Sequence, residues 1–176
     1  DVAHVYSTLF KTYFVKEELR RRKLLYYGIP LLSFLLSLLL FRLDNLVFWS
    51  VLALFAVFHF IRQQYGFMRI YSRFEQAGFQ KKLDALAVYS ATVFPMLYWF
   101  KTPRTFNWFV DNEFRFMGII PNYLPAAEIF YYLILAVWLG STAIQINKEK
   151  KINVPKVAVI SGTYISWYFG IVYFNN

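Results

Sequence analysis

Long apolar stretches alternate with short polar segments along the whole chain. A helix needs about 20 apolar residues to cross a hydrocarbon core about 30 Å thick. Five stretches reach or approach that length, at residues 24–41, 46–62, 83–100, 125–146 and 154–174. The pattern therefore predicts an all-α fold, a polytopic transmembrane helix bundle with five spans.

The N-terminal segment 1–14 fits two interpretations. It is apolar enough to be the tail of an earlier membrane span, and it can also form an amphipathic helix that lies in the membrane interface. We favour the span tail because the chain starts at Asp1 rather than at Met. On the same ground we expect the chain to be a fragment of a longer one, and its length of 176 residues predicts a single transmembrane domain, 1–176.

The composition supports a membrane protein. Hydrophobic residues make up 59% of the chain and aromatic residues 22%, whereas charged residues make up only 16%. A soluble domain has roughly 25% charged residues. This balance excludes a disordered chain, a coiled coil and nearly every soluble enzyme architecture. The absence of Cys excludes disulfides, thiolate catalysis and Cys-ligated zinc or iron–sulfur sites.

The basic residues are distributed unevenly along the chain. Fifteen of the 19 Lys and Arg residues either precede the first predicted span or lie in the loops 62–82 and 147–156. The positive-inside rule places such loops in the cytoplasm. We therefore predict a bacterial inner-membrane protein with loops 15–23, 62–82 and 147–156 cytoplasmic and the C-terminal end external. The net charge of +9 is then a topology signal, and no nucleic-acid partner is expected.

The predicted external loop 101–124 is long and aromatic. It contains Phe106, Trp108, Phe109, Phe114 and Phe116. Because Trp and Phe side chains are well accommodated at the membrane interface, we expect this loop to fold back as an interfacial cap. A lid over a substrate site is the alternative interpretation.

The two histidines of the chain, His4 and His59, are the first candidates for chemistry. His59 lies at the cytoplasmic end of the second predicted span. On a helix, a spacing of three to four residues places Arg62, Gln63 and Gly66 near the face of His59. Polar side chains at membrane depth face the protein interior or a water-filled cavity. The sequence therefore predicts that this stripe faces inward, with Arg62 and Gln63 lining the same pocket as His59.

Two carboxylates complete this candidate site. If the N-terminal segment is a span tail, His4 lies at a depth similar to that of His59. Asp1 and Asp84 then lie in the same layer and can hold an imidazole N–H. Such a set can bind iron or another transition metal, and two histidines can also be the axial ligands of a haem. The alternative, which we favour, is a helix-packing network in which Arg62 pairs with Asp84.

Several strings in the sequence resemble a known family. They are Asp1-Val-Ala-His4-Val-Tyr-Ser-Thr, Lys11-Thr-Tyr13-Phe, His59-Phe-Ile-Arg62-Gln63-Gln64-Tyr65-Gly66, Asn153-Val-Pro155-Lys156 and Trp167-Tyr168-Phe-Gly170-Ile-Val. Together they are similar to an uncharacterised family of bacterial multi-spanning membrane proteins, for which no activity is established. The resemblance implies that further polar and His-containing sequence follows residue 176. The HxxxH and HxxHH boxes of membrane desaturases are absent.

Two hypotheses about function follow. The first is a subunit or scaffold of a larger membrane complex, with membrane lipids and other membrane subunits, or the missing part of its own chain, as partners. The alternative is a membrane-embedded metal-dependent enzyme that acts on a lipid or another apolar substrate, with His4 and His59 as metal ligands. The scarcity of catalytic groups favours the first hypothesis, and the predicted inward stripe at His59 favours the second.

Overall fold

The computed structural model describes residues 6–7, 9–102, 108–114 and 121–174, apart from the side chain of Glu149. Every regular element in these residues is a helix. The chain divides into two compact units, Asp1–Trp49 and Ser50–Asn176. The assignment of residues 1–176 to a single transmembrane domain stays a prediction.

The first unit consists of short helical segments followed by one long helix. Its elements are a π-helical segment Leu9–Tyr13, α1 Lys16–Arg21, a second π-helical segment Leu24–Gly28, and α2 Ile29–Leu43. The Tyr13 hydroxyl donates a hydrogen bond of 2.9 Å to the backbone carbonyl of Tyr26, which joins the two π-helical segments. No residue of α2 is buried, although the helix is apolar on all sides. A helix of this kind is typical of a lipid environment.

The second unit is a helix bundle built around one central helix. Its elements are α3 Asn45–Tyr71, which enters this unit at Ser50, then α4 Phe79–Lys101, α5 Leu124–Glu149, α6 Val154–Trp167 and a π-helical continuation Tyr168–Tyr173. Helix α4 packs against α5, α6 and the continuation. In the most apolar window of α4, 61% of the residues are buried, against 17% in α3 and in α5. The core therefore lies around α4, and the outer helices present apolar surface to their surroundings.

Ordinary capping signals set the ends of the helices in this unit. A proline stands in the first turn of both α5 and α6, where its missing N–H has no cost. The side chain of Asn153 accepts a hydrogen bond of 3.2 Å from the backbone N–H of Lys156 and thereby caps α6. Helix α5 ends at Lys150, which has a left-handed backbone with φ of 50°. These signals fix where α5 ends and α6 begins.

Four helical segments are long and apolar enough to cross a membrane: Leu24–Leu43, Asn45–Tyr71, Phe79–Lys101 and Leu124–Lys148. They correspond to the first four predicted spans and suggest a membrane-associated protein. Helix α3 runs nine residues beyond the predicted end at residue 62, because its polar C-terminal part continues the helix after the apolar pattern stops. The fifth predicted span, 154–174, is helical to Tyr173 but is not among these four segments. The count of five spans stays a prediction.

The described part of the loop between α4 and α5 folds back onto the helices. Trp108 and Phe114 each lie with their ring centroids 5.1 Å from the ring of Trp99 on α4. Trp108 also contacts Phe60 of α3, at 5.8 Å between centroids. Residues 108–114 therefore pack against the bundle, and the expected interfacial cap and its alternative, a substrate lid, stay predictions. Of segment 1–14, residues 1–5 and 8 lie outside the described residues, so the choice between a span tail and an interfacial helix stays open.

Candidate functional site: a buried ion cluster beside a polar cavity

A buried lysine lies between two carboxylates at one end of the bundle. The Lys156 ammonium group is 2.7 Å from Asp84 Oδ2, and 2.9 and 3.0 Å from the two carboxylate oxygens of Glu75. The side chains of Lys156 and Asp84 are 5% and 1% exposed, and that of Glu75 is 29% exposed. Glu75 follows α3, Asp84 lies on α4 and Lys156 lies on α6. The cluster therefore ties three parts of the bundle together through charge.

Asp84 is also held by neutral donors. Its Oδ1 atom accepts one hydrogen bond of 3.0 Å from the indole N–H of Trp138 and another of 3.0 Å from the side-chain amide of Gln80. The Ser141 hydroxyl donates in turn to Gln80 Oε1 at 2.5 Å. Together with Lys156, the Trp138 indole and the Gln80 amide give the almost fully buried Asp84 carboxylate three hydrogen-bond donors. Such partners are what a buried carboxylate needs, because a buried charge is stable only when it is paired and hydrogen-bonded.

Asn153 connects this cluster to the end of α3. Its side-chain amide donates to the backbone carbonyl of Tyr71 at 2.9 Å and to Glu75 Oε1 at 2.8 Å. The Lys81 ammonium donates to the backbone carbonyl of Glu75 at 2.6 Å. The segment between α3 and α4 and the segment between α5 and α6 therefore meet at the same end of the bundle. The distribution of Lys and Arg among the loops also predicts that these two segments lie on the same side of the membrane.

The electrostatics of Glu75 follow from these contacts. Burial by itself raises the pKa of the Glu75 carboxyl, but hydrogen bonds from Lys156 and Asn153, together with the charges of Lys156 and Lys81, outweigh burial. The pKa of Glu75 consequently lies below its ordinary value of 4.5. These contacts therefore favour the ionised form of Glu75.

This shift gives stability a defined pH dependence. Because the pKa of Glu75 is lower in the folded chain than in the unfolded chain, its contribution is fully present above the unfolded value of 4.5 and is lost as the pH falls through the folded value. We expect the temperature of the unfolding midpoint, measured in detergent from about pH 3 to pH 7, to decrease as the pH drops below 4.5. The Glu75→Gln variant should show a smaller fall. Parallel curves for the two proteins would contradict this assignment.

A polar cavity of about 510 Å³ lies beside the cluster. Its charged lining residues are Glu75, Asp84, Lys81, Lys151 and Lys156, and its neutral polar lining residues are Gln76, Gln80, Thr142, Gln145 and Asn153. The volume is within the range of about 300–1,000 Å³ that is typical of small-molecule sites. Three lysines against two carboxylates give the lining a formal charge of +1. The cavity can therefore take a polar ligand, and its charge favours an anion.

The residues predicted around His59 occupy different surroundings. His59 and Arg62 are exposed, and Gln63 is half-buried. Arg62 donates a hydrogen bond to the Tyr89 hydroxyl and lies over the ring of Tyr65, whereas Asp84 binds Lys156. The expected pairing of Arg62 with Asp84 is therefore wrong.

The predicted inward orientation is not seen at His59, which is exposed, whereas Arg62 is exposed but reaches the Tyr89 hydroxyl on α4. Helix α3 buries the face that carries Ala53, Val57 and Met68, and His59 lies about 200° around the helix from Val57. The amide residue that does reach across the bundle is Gln64, whose Oε1 accepts a 3.3 Å hydrogen bond from Thr163 on α6.

The metal site predicted at His4 and His59 is not tested by the described residues. Within the described residues, no group of three or more His, Asp or Glu side chains is placed to hold a metal ion. His4 and Asp1 lie outside the described residues, so the approach of His4 to His59 stays a prediction.

Sequence reasoning missed Lys156 as the partner of Asp84, and Glu75 as the second carboxylate that binds Lys156. Lys156 counted only as one cation of the loop 147–156, and Glu75 had no assigned role. One signal was present: Asp84 and Lys156 have opposite charges, and each stands in the first turns of an apolar helix that starts on the same side. Ion pairs between spans are a common way to place charges at that depth.

Comparisons with known proteins do not assign this chain to a family or to a function. No protein family, curated protein or solved structure matches this chain. The resemblance to the bacterial multi-spanning membrane family therefore remains a proposal, and the function has to be inferred from the residues themselves.

Proposed function

We propose that this protein is an integral membrane protein that serves as a subunit of a larger membrane complex. The supporting observation is the polar face of α3. Arg62 is exposed and lies about 26 Å along the helix from Asn45, at 1.5 Å per residue. This depth falls within a hydrocarbon core about 30 Å thick if α3 enters the membrane at its start.

The cost of exposing this face to lipid favours a protein neighbour. Arg62 lies at the end of this core rather than at its centre, so its exposure to lipid costs less than the about 2.5–3.5 kcal/mol that insertion scales give for a central Arg, but charged side chains at membrane depth still face protein or water. His59 is exposed close to the same face, one helical turn before Arg62. A second membrane subunit that covers the face of His59 and Arg62 removes this cost.

Photo-crosslinking in native membranes tests the proposal. Phe55 and Phe58 are 65% and 60% exposed and lie one turn before His59 and Arg62, so a photoreactive residue at either position should crosslink to a partner subunit. Leu133 of α5, which is 56% exposed, is the lipid-facing control and should give no protein adduct. The Arg62→Leu variant should lower the yield at Phe58, and the partner should copurify in fixed stoichiometry. Crosslinks only within the chain, or equal yields at Leu133, would contradict a subunit role.

The second candidate remains a metal-dependent membrane enzyme that acts on a lipid or another apolar substrate. Its support is the sequence pattern at His4 and His59, with iron or another transition metal as the cofactor. Elemental analysis of the purified protein and of the His59→Ala variant decides this question. A stoichiometric metal that is lost in the variant would favour the enzyme, and no metal in either protein would leave the subunit role.

We further propose a bacterial inner-membrane location with loops 15–23, 62–82 and 147–156 in the cytoplasm. The uneven distribution of Lys and Arg supports this orientation. If the helix from Val154 to Tyr173 is a fifth span, a reporter fused after Asn176 should be external and one inserted near Gly78 cytoplasmic. Both reporters on the same side would exclude an odd number of spans between them, such as the three predicted here.

A further inference from the structure

We propose that the cavity beside Lys156 binds an anionic phosphate group, carried either by a soluble phosphate ester or by a phospholipid headgroup. This inference does not depend on the subunit role, which rests on the exposed face of α3 at His59 and Arg62. Its basis is the convergence of cationic and N–H groups from α4, α5 and α6 on one cavity.

The two carboxylates of the cavity are already engaged by the chain's own donors. Asp84 accepts hydrogen bonds from Lys156, Trp138 and Gln80. Glu75 accepts from Lys156 and Asn153. With these acids neutralised in part by Lys156, the lysines 81 and 151 supply the remaining positive charge of the lining. The cavity therefore presents lysine ammonium groups to a ligand, while its two carboxylates are hydrogen-bonded to other groups of the chain.

Two helices start at the cavity and add partial positive charge. Gly78 precedes α4 and Asn153 precedes α6, and both residues line the cavity. Gly78 provides no side-chain hydrogen bond to the first N–H groups of α4, and a Cβ atom built at this position would meet open space. The N-terminal N–H groups of a helix attract anions, phosphate in particular. The start of α4 is therefore open to an acceptor from the cavity.

Thr142 supplies an independent indication of a ligand. This α5 residue lines the cavity and is nine-tenths buried, and its hydroxyl has no hydrogen-bond partner among the described residues. A buried polar group without a partner is destabilising, because nothing compensates the hydration that it has lost. A phosphate oxygen in the cavity would accept a hydrogen bond from this hydroxyl. The unpaired group is thus explained if the cavity normally holds an acceptor.

The volume agrees with a phosphate and a small attached group. A cavity of about 510 Å³ exceeds the space that a few water molecules need, at about 30 Å³ each. Pockets in this range bury most of a small ligand. The end of the bundle where the cavity lies also receives the basic segments 62–82 and 147–156, which attract anions to it.

The test uses the full chain in nanodiscs of phosphatidylcholine, with inorganic phosphate as the soluble probe. We expect phosphate to raise the unfolding temperature and to bind with 1:1 stoichiometry in calorimetry, whereas chloride at equal ionic strength should not. The variants Thr142→Val and Lys151→Gln should each raise the Kd at least about tenfold, the loss of one good hydrogen bond or ion pair. Lys148→Gln, which removes an exposed lysine outside the cavity lining, is the matched control and should bind like the unaltered chain.

The Thr142→Val variant separates binding from folding. Because Val removes an unpaired buried hydroxyl at constant volume, the variant should be at least as stable as the unaltered chain without phosphate and should lose the stabilisation by phosphate. A second set of nanodiscs, with phosphatidic acid replacing part of the phosphatidylcholine, distinguishes the two sources. Stabilisation there that depends on Thr142, without binding of free phosphate, identifies a lipid headgroup. No response to either probe, or a response that Thr142→Val and Lys151→Gln leave unchanged, overturns the proposal.

Discussion

Replacing Lys156 by Met is expected to destabilise the protein by about 3–5 kcal/mol, the cost of leaving a buried charge without its partner. The Asp84 carboxylate, which is 1% exposed, would keep only the neutral donors Trp138 and Gln80. No cation would then compensate the buried Asp84 carboxylate. Glu75 would lose its contacts with Lys156 as well, so the hydrogen bonds of Asn153 would remain as the link between the start of α6 and the α3–α4 segment. Unfolding followed by tryptophan fluorescence in detergent measures this loss.

Two variants make this expectation specific. Lys151→Met removes an exposed lysine that lines the same cavity, and it should change stability by less than about 0.5 kcal/mol. The double variant Lys156→Met with Asp84→Asn should be more stable than Lys156→Met alone, because the unpaired charge is removed along with its partner. If Lys156→Met is no more harmful than Lys151→Met, the cluster does not hold the bundle together.

Replacing Glu113 by Ala is expected to release the loop between α4 and α5. The Glu113 carboxylate is 1% exposed and accepts hydrogen bonds from three backbone N–H groups, those of Trp108, Phe109 and Val110. Hydrogen bonds to a charged group contribute about 1.5–3 kcal/mol each, so the local loss should be at least about 3 kcal/mol. Amide hydrogen exchange at residues 108–114 should accelerate by two orders of magnitude or more, since 1.4 kcal/mol is a factor of ten.

The same substitution should loosen the aromatic cluster on α4. Without the turn that Glu113 closes, Trp108 and Phe114 lose their fixed position against Trp99. Glu113→Gln keeps one carbonyl oxygen of the same shape and should give an intermediate effect. Unchanged exchange at residues 108–114 in Glu113→Ala would show that the aromatic contacts alone hold the loop.

Hydrophobic patterning predicted the helices well because the length of an apolar run decides whether a helix can cross a membrane. Four predicted spans coincide with long apolar helices. The end of α3 was missed because a polar helix can continue beyond the apolar run, and the segment from Arg62 to Tyr71 does so. The segment from Val154 to Tyr173 was harder to classify because Lys156 and several small polar residues dilute its apolar pattern.

Sequence reasoning identified only part of the candidate site. Asp84 stood out as an acid at the start of an apolar helix, but its partner depends on which helix packs beside α4. That helix is α6, and the contact with Lys156 spans 72 residues of sequence. The face of α3 was misjudged for a related reason: a stripe of polar residues indicates a shared face, but only the buried contacts of Ala53 and Val57 show where that face points.

Cysteine accessibility in intact cells tests the central claim, that α4 and α5 cross the membrane and hold the Lys156 cavity at one face. The chain has no native Cys, so single substitutions can be labelled without background. Gln76→Cys and Lys151→Cys, at exposed positions beside the cavity, should resist a membrane-impermeant maleimide until the cells are permeabilised. Asn122→Cys, exposed before the start of α5, should be labelled in intact cells. Equal labelling of Asn122→Cys and Gln76→Cys in intact cells would contradict the membrane-spanning bundle.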